Sequence, residues 1–133
     1  MQFKRSEGFR YEFKTPLAAN FKIMTNGRFE SLDQPMHSCT ILDISPRGMK
    51  MFSQANFGEH TNNVLQLEIH FILDETAIQA VGNIVWEKPY AGGKQFGLIF
   101  MNQPKLEDLI VSELKSRRRK EIANKKWSFD EIK

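Results

Sequence analysis

Among the 133 residues there is one cysteine, Cys39. It can form no disulfide within the chain, and the sequence holds no cysteine cluster for a metal or redox centre. Histidine is also scarce. His37, His60 and His70 show neither i,i+4 nor His-x-His spacing, so no metal site is predicted. Long apolar runs are missing, and none approaches the ~20 residues that cross a bilayer. The segment Met1-Gln2-Phe3-Lys4-Arg5 leads into polar residues rather than the apolar core of an export signal. These absences point to a soluble, cytoplasmic protein with a reduced Cys39 packed in a strand beside Ile41. Gly92-Gly93-Lys94 lacks the spacing of a phosphate-binding loop. No nucleophile falls in a motif with a base, so the sequence predicts no enzyme and no catalytic residue. Internal repeats and low-complexity linkers are absent as well.

What is present fits one domain, since domains usually run roughly 100–200 residues. Residues 1–15 are charged, aromatic and aperiodic, and read as an arm. Residues 16–103 read as a barrel, and residues 104–133 as a helix and tail. Strands are predicted over 17–24, 38–44, 48–53, 64–73, 76–87 and 94–101, with turn residues between them. The alternation is clearest where Leu65, Leu67, Ile69, Phe71 and Leu73 share one face and Gln66, Glu68, His70 and Ile72 take the other. In the next strand Ile78, Ala80, Gly82, Ile84 and Trp86 alternate against Gln79 and Asn83. Most methionines, Met49, Met51 and Met101 among them, fall in strand-like segments and read as core filler. Short strands joined by turns suggest an antiparallel barrel or sandwich.

The period then changes. Asn102 is the predicted cap and Pro104 an early helical residue. Leu106, Leu109, Ile110, Glu113 and Leu114 recur every three to four residues, and the helix is expected to run to about Ala123. Net charge is only +3, yet residues 115–126 hold seven Lys/Arg against the single acid Glu121. This stretch reads either as a solvated helix end favoured by the helix dipole or as a surface for nucleic acid, an anionic membrane or an acidic partner. Nucleic acid is not the predicted partner, because the strands show no basic groove interleaved with aromatics. Trp127 and Phe129 close the chain without a periodic context.

Two segments carry candidate chemistry. In Asp43-Ile44-Ser45-Pro46-Arg47-Gly48, proline fixes φ and glycine permits a positive φ. Asp43 and Ser45 are two apart, so in an extended chain they project to the same side. They can cap their own turn, or they can meet the donors of a guanine edge. In Lys4-Arg5-Ser6-Glu7-Gly8-Phe9-Arg10, the guanidinium forks of Arg5 and Arg10 match phosphate oxygens or the O6/N7 edge of guanine, and Lys4 adds a third cation.

With these two segments, together with Val81-Gly82-Asn83-Ile84-Val85-Trp86 and Gln95-Phe96-Gly97-Leu98-Ile99-Phe100, the chain resembles the PilZ domain over about residues 4–115. The resemblance implies a six-stranded antiparallel β-barrel, mainly β, with a flexible N-terminal arm and a C-terminal α-helix. It implies a bacterial receptor for cyclic di-GMP that needs no other cofactor and passes its message to a protein partner. The implied ligand-binding residues are Arg5, Arg10, Asp43, Ser45 and Gly48, with Lys4, Ser6 and Arg47 secondary. One feature departs from the family's arm pattern, R-x-x-x-R. Four residues separate Arg5 from Arg10, and the position at the usual spacing is Ser6. Gly8 lets the extra residue loop out. If it does not, the alternative is a PilZ-like interaction module that does not bind the nucleotide.

Overall fold

The computed structural model describes residues 10–25, 27–29, 34–55 and 65–132, with side chains through residue 124. Among the described residues, seven strands precede one helix: β1 (Tyr11–Thr25), β2 (Arg28–Phe29), β3 (His37–Ser45), β4 (Gly48–Ser53), β5 (Leu65–Ile72), β6 (Ala77–Tyr90), β7 (Gly93–Phe100) and α1 (Pro104–Ile132). Six of them close an antiparallel barrel in the order β1-β3-β4-β7-β6-β5, with β5 returning to β1. The two-residue β2 folds back on the end of β1. This is the six-stranded barrel with a C-terminal helix that the family resemblance implies. Among the described residues no helix is long and apolar enough to cross a membrane.

Alternation builds the core. Leu65, Leu67, Ile69, Phe71 and Leu73 are all buried, and they meet Ile41, Ile44, Met49, Met51, Phe96 and Leu98 across the barrel. Met101 departs from the expectation of core filler, because it lies past the last strand and is exposed. Cys39 is buried, and desolvation pushes its thiol up to about 12. The native protein should therefore resist iodoacetamide at neutral pH and react rapidly once unfolded. Mass spectrometry of quenched time points checks this.

Three irregularities break the alternation. In β1 the pairing with β3 shifts between Glu12 and Leu17. Pro16 lies inside that shift, where a residue without an N–H costs no ladder bond. The strand consequently begins at Tyr11, ahead of Pro16. In β3 the shift lies between Ile41 and Asp43, and in β6 between Ile84 and Trp86. Each leaves one extra residue, Leu42 or Val85, and so reverses the faces that follow it.

The β6–β7 connection is a tight two-residue turn. Ala91 and Gly92 both have positive φ, 45° and 80°, as the favoured hairpin turn demands. Alanine is strained there. Ala91→Asn, which tolerates this conformation, should raise stability by about 1 kcal/mol, read as a higher urea midpoint with an unchanged slope.

The helix closes one barrel end. Its first intrahelical bond runs from Glu107 N to Gln103 O, so Gln103 rather than Asn102 is the cap, and Pro104 takes the first helical position. Leu106, Ile110 and Leu114 enter the core. Between them and solvent sits Glu113, buried, whose Oε1 accepts hydrogen bonds from three successive amides of the β5–β6 turn: Asp74 at 3.3 Å, Glu75 at 3.0 Å and Thr76 at 2.8 Å. One turn further on, Arg117 Nη1 donates to Leu73 O at 2.7 Å. Lys120 pairs with Asp74 and Glu75, and with Ser116 it holds the Asp74 carboxyl below its ordinary range. Part of the basic stretch thus fastens the helix to the barrel. The helix continues to Ile132, past the expected end near Ala123.

Candidate functional site

The β3–β4 hairpin turns through Pro46 and Arg47, with Ser45 paired to Gly48. Ser45 Oγ accepts from Arg47 N and donates to Gly48 O, each at 3.4 Å, so this hydroxyl serves its own turn. Gly48 does not have positive φ; the described glycines that do are Gly27 and Gly92. Its need is close approach instead: a Cβ there would meet Leu98 O at 2.3 Å. The turn thus needs glycine for want of space, not for the positive φ expected of it. Arg47 leans to the helix, with Nε 3.3 Å from Glu107 Oε1. Beside this pair a cleft of ≈ 190 Å³ is lined by Ile99, Phe100, Met101 and Asn102.

Asp43 behaves differently from Ser45. Plain alternation after Cys39 and Ile41 would point it into the core. The extra residue Leu42 turns it outward and puts Ile44 in its place. Its carboxylate, 6% exposed, is ion-paired with Arg10 and lies 3.5 Å from Lys50 Nζ. Arg10 stands immediately before β1, and its side chain is half exposed. The buried acid is thus compensated by two cations that remain accessible.

Cross-strand pairing carries this row further. Glu12 faces Asp43, Asp43 faces Lys50, Lys50 faces Gly97, and Gly97 faces Trp86. Three strand spacings separate Asp43 from Trp86, roughly 14 Å. The sequence reading set Trp86 with Ile78 and Ile84. The extra residue Val85 reverses that assignment and brings the indole out over Gly97. A Cβ on Gly97 would lie 2.0 Å from Trp86 Nε1, so the ring rests on bare backbone. The indole is 41% exposed, with Lys88 Nζ 5.6 Å from its centre.

The structure therefore brings together Arg10, Asp43 and Lys50, and adds Trp86, which sequence reasoning missed as a site residue. Its pairing with Gly97 follows from the register that the bulge sets, so the sequence carried no mark of it. Ser45, Gly48 and Arg47 adjoin the row but are engaged in shaping the turn or holding the helix. Lys4, Arg5 and Ser6 lie outside the described residues. Chemically, the row offers an acceptor pair, two cations and a flat aromatic face, a set suited to an anionic ligand with a planar base.

Comparison with known proteins bears on the fold that carries this row. The PilZ domain family matches residues 3–115. A search of curated proteins finds no significant match. Among solved structures, the chain is similar to the PilZ domain of YcgR from Escherichia coli with c-di-GMP, at 13% identity and a TM-score of 0.62, over 89% of this chain and 95% of that one. It is also similar to YcgR from Escherichia coli in complex with c-di-GMP, at 14% identity and a TM-score of 0.59, over 94% of this chain and 49% of that one. A match over most of its length, on a barrel of the same architecture, makes this chain a member of the PilZ domain family.

Proposed function

We propose that this protein is a bacterial, cytoplasmic receptor for cyclic di-GMP, a binding module and not an enzyme. The observation that carries the reading is that two single-residue bulges turn Asp43 and Trp86 onto one outer row with Arg10 and Lys50. Family membership and the two ligand-bound YcgR structures support it.

In this reading the Asp43 carboxylate accepts hydrogen bonds from the N1 and N2 donors of a guanine. Arg10 exchanges part of its pairing with Asp43 for phosphate or the guanine O6/N7 edge. Trp86 supplies a stacking face, and Lys50 balances charge. Ser45 and Gly48 fix the turn beside the base. Arg5, Lys4 and Ser6, with Arg47 at the rim, close over the ligand as the arm folds down. The closed arm and the ligand then present a composite surface to a protein partner.

Calorimetric titration of cyclic di-GMP into the folded chain, with GMP and cyclic di-AMP as controls, tests the reading. Saturable, guanine-selective binding supports it, and the stoichiometry separates one bound nucleotide from a stacked pair. A specific observation favours a second reading, a partner-binding module without the nucleotide. Arg10 and Asp43 already satisfy each other, and the arm carries an extra residue between its arginines. Absence of heat from folded protein would select that reading and make affinity capture of the partner the next step.

A further inference from the structure

Arg10 and Tyr11 are successive residues, and successive strand residues face opposite ways. Arg10 goes to Asp43 on the outer row. The Tyr11 hydroxyl goes to the helix, where it donates to the Glu121 carboxylate. Glu121 lies 3.3 Å from Arg117 Nε, one helical turn back. The Arg117 guanidinium sits over the rings of Phe13, at 5.1 Å, and Tyr11, at 6.0 Å, and reaches Leu73 O at the end of β5.

β1 pairs with β3 from Tyr11 onward, but its described pairing with β5 starts only at Asn20. Ahead of that pairing, Tyr11 and Phe13 meet Arg117 and Glu121 of the helix instead. The start of β1 is therefore held by one strand and by α1. Arg117 and Glu121 both lie beyond residues 3–115, the stretch that matches the family model.

We infer that Arg117 and Glu121 are positioning residues for the ligand site, acting through Tyr11 to hold Arg10 in register with Asp43. The inference rests on the receptor reading and names its regulation. A guanidinium fork must be placed to within a fraction of an ångström to grip two oxygens, so a loosened β1 start weakens the grip. Coupling of this kind is reciprocal. A partner that takes hold of Arg117 or Glu121 lowers ligand affinity, and bound ligand tightens the contact between β1 and the helix.

The test is titration of cyclic di-GMP into the full-length chain and its variants. Tyr11→Phe keeps the ring and removes the hydroxyl. Glu121→Ala removes the acceptor, and Glu121→Gln restores an oxygen for Tyr11. Tyr11→Phe and Glu121→Ala are expected to weaken binding about 5- to 10-fold, with Glu121→Gln closer to the parent. In an Arg10→Lys background, where the fork is already lost, Tyr11→Phe should add less than about twofold. A merely structural role would not produce that dependence on residue 10. Parent binding with both variants within about twofold of it overturns this inference alone. No binding by the parent chain overturns the receptor reading and this inference with it.

Discussion

Arg10→Ala should lower affinity for cyclic di-GMP by about 2–5 kcal/mol, the range for losing one partner of a close charge contact. The residue joins the N-terminal segment to the Asp43 row of the proposed site. It stands at the mouth of β1, half exposed, and its guanidinium already touches the buried Asp43 carboxylate. A ligand phosphate placed there gains a planar fork and a positive charge together. Removing the side chain strips both and leaves Asp43 with Lys50 at 3.5 Å as its compensation. Arg10→Lys separates the contributions, since it restores charge without the fork. Calorimetry should rank parent, Lys and Ala in that order, with thermal unfolding confirming that all three fold. An alanine variant binding within about threefold of the parent would remove Arg10 from the site.

Glu113→Ala should cost about 3 kcal/mol of stability, the largest loss expected from a single surface-to-core contact here. One buried carboxylate oxygen satisfies three consecutive amides, so its loss strands the β5–β6 turn at the point where α1 docks. Glu113→Gln keeps an acceptor oxygen and should cost about 1 kcal/mol. Urea unfolding of the two variants tests this. Equal midpoints for Ala and parent would show that water replaces the carboxylate without loss.

How much of this was legible in the sequence depended on whether a feature follows the period. The inward faces of β5 and β7 were readable because apolar residues recur every second position. The start of α1 was readable to within a residue because proline suits only the first helical turn. A bulge has no such mark. One added residue, Leu42 or Val85, changes no composition, yet it decides which way Asp43 and Trp86 point. The motif rescued Asp43, since two residues at a proline turn draw attention whatever their face. Nothing rescued Trp86, whose apolar character suited the core equally well. Glu113 sat in a recognised helical stripe as its odd polar member. Its three amide partners are 37 to 39 residues away in the chain, a separation that periodicity does not span.

The contact between the start of β1 and α1 also sets an order of events at the ribosome. Tyr11 and Glu121 are 110 residues apart, so the first strand of the barrel waits for a helix made after all the others. Until the helix emerges, residues 11–19 and the end of β5 offer open strand edges, the kind of surface on which nascent chains pair with one another. Synthesis that pauses before residue 117 would hold the chain in that exposed state. The helix thus acts as a late fastening on a barrel whose six strands are already made, and slow translation of its codons would lengthen the interval before that fastening forms.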